Sequence, residues 1–215
     1  MDGAAQATRL NSDAMSAGAR RVGGMGALDD GERVVVADAV AWRAWLVENH
    51  TTSTGAWLVR ARPGSDATVV AYEDAIRQAL CFGWIDGPTR SFDERLGGLW
   101  FSPRRPRSGW AATNKARVVD LEATGEMTDA GRRAIAVARE NGSWSVLDNS
   151  EALREPDDLA AALDADGAAR AAWDAFPPSA RKFGIAQVDL ARRPATRLAR
   201  ITSIVTAARE GRRPS

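Results

Sequence analysis

The chain has 215 residues, of which 45% are hydrophobic and 27% charged, a balance typical of a globular protein that buries one core. Its 29 Lys and Arg residues nearly equal its 28 Asp and Glu residues, which excludes a protein drawn to nucleic acid or anionic lipid by its overall charge. A single Cys and a single His exclude an internal disulfide and the usual Cys/His zinc cage. We therefore expect no structural metal and no cofactor.

The first residues predict neither a signal sequence nor a stable fold. Residues 1–32 are rich in Gly, Ala and Ser and carry no sustained apolar pattern, so we predict a flexible arm over 1–35, followed by a single domain over 36–212. No segment approaches the roughly 20 apolar residues that a membrane-spanning helix needs. We therefore expect a cytoplasmic protein without membrane insertion.

The N-terminal half alternates between helical and extended patterns. Asp38 is placed to cap a helix whose apolar stripe includes Trp42 and Trp45 and which ends near His50. The following pattern predicts a strand at 56–61, a helix from Tyr72 to Leu80 that Gly83 ends, and strands at 84–90 and 99–102 joined through Gly97 and Gly98.

The C-terminal half is helical. From Ser108, four residues recur at spacings of three and four, namely Trp110, Asn114, Val118 and Leu121, and Gly125 ends that helix. Further helices are predicted at 128–140, 156–164, 168–176 and 194–210. The fold class is therefore α+β, mainly helical, with a small antiparallel sheet in the N-terminal half and a helical C-terminal half.

Two short blocks carry the residues most suited to chemistry, CFGWIDG at 81–87 and FSPRRPRSGW at 101–110. Ser108 is a natural helix N-cap, and Arg104, Arg105 and Arg107 lie immediately before it, so helix amides and guanidiniums are predicted to converge on a carboxylate or phosphate. The alternative is an extended surface loop, made by Pro103 and Pro106, whose arginines are solvated or paired with acids.

Asn114 and Asp86 are the other polar candidates. Asn114 falls on the apolar stripe, where an unpaired amide would cost about 1 to 3 kcal/mol, so it needs backbone or ligand partners. Asp86 follows two apolar residues and is a candidate general base or a partner of Arg104 or Arg105. A turn aspartate or a buried ion pair explains it equally well.

His50 and Cys81 complete the tentative catalytic set with Asp86. His50 titrates near neutrality when unperturbed, but at a helix C-terminus it also complements the helix dipole. Cys81 lies off the apolar stripe beside Arg77, which allows partial access and a lowered pKa, although a small buried residue is the commoner outcome. No familiar catalytic signature is present, so the sequence leaves open whether the protein is an enzyme.

Four segments read in order resemble the YdeI/OmpD-associated, or bacteriocin-protection, family: AWLVENHTTSTGAWLV, YEDAIRQALCFGWIDG, FSPRRPRSGWAATNKARV and RRPATRLARI. The resemblance covers about residues 38–212. Similar proteins often carry S-N-W-S in the second block, where this chain has Gly109 and Ala111. The resemblance implies the fold, protection against bacteriocins or envelope stress, and for some members association with an outer-membrane porin, but no reaction.

Three functions compete at this point. The first is a pocket for a small anionic or polar molecule that is bound or undergoes proton transfer, with the following predicted walls and lining: Trp84, Trp100, Trp110, Asp86, Arg104, Arg105 and Asn114. The second is a protein-protein interaction in stress or bacteriocin tolerance, through the arginine-bearing C-terminal helix or a tryptophan-rich surface. Nucleic-acid binding by SPRRPRS is the least favoured, because three arginines release few counterions.

Overall fold

A computed structural model describes residues 8–9, 28, 31–62, 64 and 68–214. The chain divides into two compact units. Unit 1 comprises Met1–Arg105 with Val118–Ala134, and unit 2 comprises Pro106–Arg117 with Ile135–Ser215. Most of the arm predicted over 1–35 lies outside the described residues, and the single domain over 36–212 stays a prediction.

Unit 1 contains a mixed β-sheet. Its strands are β1 (Thr8–Arg9), β2 (Arg33–Val35), β3 (Ala56–Ala61), β4 (Trp84–Ser91) and β5 (Leu96–Pro103), in the order β1-β2-β3-β5-β4. Neighbouring strands are antiparallel except for β2 and β3, which pair in parallel. The predicted small sheet is therefore present, and β2, which the sequence did not predict, adds its parallel pair.

The connection between β4 and β5 differs from the predicted one. Asp93 forms the turn, because its Oδ1 accepts the backbone N–H groups of Arg95 and Leu96, both at 2.7 Å. These bonds lower the pKa of the Asp93 carboxyl. Gly97 and Gly98 instead lie within β5. A Cβ at Gly98 would stand 2.5 Å from the Phe92 ring, so this glycine makes room for aromatic packing and does not form the turn.

Two helices of unit 1 lie where the sequence predicts them. Helix α1 (Ala39–Asn49) begins at Asp38, whose Oδ1 accepts the N–H of Ala41 at 2.9 Å. Helix α2 (Tyr72–Cys81) ends before Gly83, whose φ of +72° suits glycine. Packing of α1 on the sheet buries the indoles of Trp42 and Trp45, which stack with ring centroids 5.1 Å apart.

The remaining helices are α3 (Ala112–Ala123), α4 (Asp129–Glu140), α5 (Asp148–Glu151), α6 (Asp157–Asp164), α7 (Gly167–Ala175), α8 (Pro178–Asp189) and α9 (Pro194–Arg209). The helices predicted at 128–140, 156–164, 168–176 and 194–210 are confirmed within one residue at each end. Helices α5 and α8 were not predicted. Together with the sheet in the N-terminal half and the helical C-terminal half, these elements confirm the α+β fold class.

Unit 2 has a core of its own, in which α6 to α9 bury their apolar faces. Its largest members are Leu159, Leu163, Trp173, Ile185, Ile201 and Ile204. Beside this core, the Glu155 carboxylate accepts two bonds from the Arg170 guanidinium, at 3.1 and 2.9 Å, and one from the Trp173 indole at 2.7 Å. The carboxylate therefore links the segment just before α6 to helix α7.

In unit 1, the start of α4 approaches the end of α2 closely. The carbonyl oxygen of Cys81 accepts both the backbone N–H and the hydroxyl of Thr128, at 3.3 and 2.5 Å. Gly131, in the first turn of α4, faces the same carbonyl, and a Cβ there would stand 2.5 Å from it. Only a residue without a side chain fits this approach.

Candidate functional site

Asp86 and Arg104 share one end of the β4–β5 pair in unit 1. Trp84 lies opposite Pro103 in the register, and the N–H of Arg104 donates to the carbonyl of Gly83 at 2.9 Å. The side chains of Asp86 and Arg104 are both half-buried. Burial lowers the pKa of Arg104 to about 10, and the negative charge of Asp86 acts in the opposite direction. The charges of Asp86 and Arg104 therefore interact at this end of the sheet.

Two buried indoles belong to the same part of unit 1, and Trp84, two residues before Asp86, lies on the same face of β4. Trp84 donates its N–H to the carbonyl of His50 at 3.3 Å, and Trp45 packs edge-on against Trp84 with ring centroids 5.8 Å apart. The N–H of Trp45 is buried and meets no acceptor among the described residues. Such a donor costs about 1 to 3 kcal/mol when it stays unpaired. Sequence reasoning placed Trp45 on the core stripe only and missed this unused donor.

Trp100 lies on the other face of the sheet. Asp86 is opposite Phe101 in the register, and successive residues of a strand point to opposite faces, so Trp100 points away from Asp86 and Trp84. Its ring packs against Trp57 with centroids 5.2 Å apart. The structure therefore does not bring Trp84 and Trp100 together as two walls of one pocket. Arg105, beyond the end of β5, is exposed.

His50 and Cys81 lie in structural positions in unit 1. The Nδ1 atom of His50 is 2.9 Å from the carbonyl oxygen of Leu46, at the end of α1, and its ring rests on Phe82. The side chain of Cys81 is fully buried. Burial raises the pKa of the thiol and outweighs the opposing effect of Arg43. The geometry thus favours the interpretation of Cys81 as a small buried residue.

Burial of Cys81 predicts that its thiol does not react in the native protein. We expect no measurable reaction with Ellman's reagent at pH 8 over a period in which the urea-unfolded chain reacts fully, because the thiolate is both disfavoured and inaccessible. The released chromophore measures the reaction, and the unfolded chain is the control. Native reaction at a comparable rate would make Cys81 a candidate nucleophile again.

Ser108, Trp110 and Asn114 belong to unit 2, within its N-terminal segment Pro106–Arg117. Ser108 does not cap α3, because that helix begins four residues later at Ala112. Trp110 is buried against Trp144, with ring centroids 5.0 Å apart. The Oδ1 atom of Asn114 accepts a bond from Arg117 at 2.8 Å, so the chain itself supplies a partner for this amide.

The start of α3 carries a carboxylate that the sequence did not predict there. Glu151 accepts the N–H of Ala112 at 3.3 Å through Oε1 and binds the Lys182 ammonium through Oε2. The bond from Lys182, followed by the one from Ala112, holds the pKa of Glu151 below its usual range. The place that the sequence assigned to an external anion at this helix start is therefore taken by a residue of the chain, and no local pattern links residues so far apart.

Unit 2 also has a cavity of about 190 Å³ on the side of α8 and α9. It is lined by Gln187, Ser203, Ile204, Thr206, Ala207, Arg212 and Pro214. None of these residues was a predicted site residue.

These features define an α+β protein with a charged and aromatic cluster at one end of its sheet. Residues 152–211 match the family described as Bacteriocin-protection, YdeI or OmpD-Associated, and this match supports the resemblance noted in the sequence. Residues 34–134 match a second family, described as Domain of unknown function (DUF8412). No curated protein and no solved structure matches the chain. Among the described residues, no helix is long and apolar enough to span a membrane.

Proposed function

We propose that unit 1 binds a small anionic or polar molecule at the end of the sheet where β4 begins and β5 ends. Asp86, Arg104 and Trp45 are the residues that bind it. The observation that carries the proposal is that Asp86 and Arg104 are half-buried at one end of the β4–β5 pair, where their charges interact, with Trp84 on the same face of β4 as Asp86. Charged side chains held away from bulk water bind an opposite charge more strongly than exposed ones do.

The groups in this part of unit 1 suit a guest that carries both a negative charge and a donor. The Arg104 guanidinium and the buried Trp45 N–H supply donors, whereas Asp86 supplies one carboxylate. A carboxylate on the guest is attracted by the charge of Arg104 and can accept the Trp45 N–H, and a hydroxyl or amino group on the guest can donate to Asp86. The class that fits best is therefore a small hydroxy- or amino-carboxylate. In this proposal Asp86 orients the guest, and Arg105, exposed beyond the strand, attracts it.

A thermal-shift screen with the full chain tests the proposal. We expect one or more of lactate, malate, glycine or glutamate to raise the melting temperature in a saturable way, since a ligand of the native state stabilises it by mass action. Acetate and ethylamine, which offer only half of the chemistry, should shift it less. The Arg104→Met variant should bind at least about tenfold more weakly, a loss of about 1.4 kcal/mol.

Two further variants separate binding from folding. Arg133→Met, at an exposed arginine of α4 in the same unit, removes an equal charge and should keep the shift. Trp45→Phe keeps an aromatic ring in the core and removes only the indole N–H, so it should weaken binding about fivefold. An unchanged shift in Arg104→Met, or no shift with any compound, would contradict the proposal.

A further inference from the structure

Unit 2 carries an exposed group of three arginines that the ligand site in unit 1 does not use. Arg107 lies in the loop before α3, and Arg192 and Arg193 lie in the loop between α8 and α9. The two loops meet, because Nη2 of Arg192 donates to the main-chain oxygen of Arg107 at 3.5 Å. All three side chains are exposed, and so is the nearby apolar side chain of Leu190, at 41%. These four residues are called the arginine surface below.

The loop that carries Arg107 is anchored to the rest of unit 2. The carbonyl oxygen of Pro106 accepts a bond from the Asn141 amide at 2.7 Å and another from the Ser143 hydroxyl at 3.2 Å. Ser143 itself is buried, so these bonds tie the loop to the interior of the unit. An anchored loop loses less conformational entropy when a partner binds than a free one does.

The charge of the arginine surface is not neutralised by neighbouring acids. Residues 191–213 contain seven arginines and one glutamate. Three of these arginines form ion pairs, Arg197 with Asp158 and Asp189, Arg209 with Asp166, and Arg212 with Glu210. In contrast, Arg107, Arg192 and Arg193 form no ion pair with any residue that the structure describes. Each of them can therefore receive a carboxylate from outside.

We propose that the arginine surface docks an acidic segment of a protein partner, in which carboxylates alternate with apolar side chains. Guanidinium groups bind carboxylates through two parallel hydrogen bonds, and exposed Leu190 offers the apolar contact that a side chain of the partner covers. Three cations release too few counterions to hold a nucleic-acid duplex tightly. This proposal does not depend on the ligand site in unit 1.

Fluorescence anisotropy with the full chain tests whether the arginine surface binds an acidic segment. The probe is a fluorescein-labelled peptide of four Glu-Glu-Leu repeats, and the comparison probes are a labelled Gln-Gln-Leu peptide, a labelled short DNA duplex and phosphatidylglycerol vesicles. We expect the Glu peptide to bind most tightly and to bind less tightly as salt rises. Tighter binding to the duplex or to the vesicles would overturn the choice of a protein partner.

Charge-reversed variants locate the binding. Arg107→Glu with Arg192→Glu and Arg193→Glu should weaken binding of the Glu peptide at least about tenfold. The control variant, Arg133→Glu with Arg154→Glu and Arg213→Glu, changes the net charge by the same amount at other exposed arginines and should weaken it less than about threefold. Equal losses would show that only the net charge matters and would overturn the proposal.

Leu190→Ser, which keeps every charge, should weaken binding about threefold without changing its salt dependence. Unchanged binding would contradict the proposed contact between Leu190 and an apolar side chain of the partner.

Discussion

Replacing Gly131 with alanine is expected to lower the free energy of unfolding by about 2 kcal/mol or more, despite the higher helix propensity of alanine. The new Cβ would overlap the Met127 sulfur and would stand 2.5 Å from the Cys81 carbonyl oxygen and 2.9 Å from that of Leu80. Met127 has a flexible side chain that can move. The two carbonyl oxygens belong to the end of α2, which cannot retreat without losing its bonds to Thr128.

Urea unfolding followed by tryptophan fluorescence measures this loss. Gly167→Ala is the matched control, because a Cβ at Gly167 meets nothing within 4 Å and the residue starts α7 without a left-handed backbone. This control should be neutral or more stable by up to about 1 kcal/mol. If both variants unfold at the same urea concentration, the close approach of α4 to α2 is not as described.

Replacing Glu155 with glutamine is expected to cost about 2 to 3 kcal/mol of unfolding free energy in unit 2. The Glu155 side chain is 14% exposed and that of its main partner Arg170 is 24% exposed, so the lost ion pair is screened only in part. Glutamine has the same shape but turns its amide NH₂ toward the guanidinium in either orientation, because Arg170 donates to both oxygens of Glu155. Glu140→Gln, at an exposed residue of the same unit, is the control and should be neutral.

The pH dependence of that loss follows from the pKa of Glu155. Burial raises this pKa, but the bonds from Arg170 and Trp173 outweigh burial and leave it below the ordinary value of 4.5. A carboxyl with a lowered folded-state pKa stabilises the fold fully above its unfolded-state pKa and loses that contribution as the pH falls through the lowered value. The difference between wild type and Glu155→Gln should therefore shrink on acidification from about pH 7 to about pH 3. A constant difference would contradict the assignment.

Local signals predicted most helices. Asp38 at the start of α1 and Gly83 after α2 act within one turn of the residues that they cap. Both helix boundaries can therefore be predicted from the local sequence. The glycines at 97 and 98 misled the prediction of the β4–β5 turn, because a Cβ at Gly98 would overlap the Phe92 ring and one at Gly97 would stand 2.9 Å from the carbonyl oxygen of Arg90. Strand β2 is only three residues long and depends on pairing with β3, which no local pattern records.

The candidate site was predictable to a smaller extent. Asp86 and Arg104 lie in the two blocks that the β4–β5 hairpin joins, so their proximity follows from the antiparallel pairing. Trp42 and Trp45 look alike in the sequence, yet the N–H of Trp42 donates to Ala75 whereas that of Trp45 meets no described acceptor. Only tertiary packing separates these two indoles, and the same holds for the placement of Glu151 at the start of α3.

The stacking of Trp42 on Trp45, with Trp84 edge-on against the second ring, also makes unit 1 its own optical reporter. Indoles this close couple their electronic transitions, so the near-ultraviolet circular dichroism of the native chain should contain an exciton band that vanishes when the three rings separate. A guest that accepts the Trp45 N–H would shift the wavelength of the tryptophan fluorescence maximum. Its binding could then be measured without an attached dye.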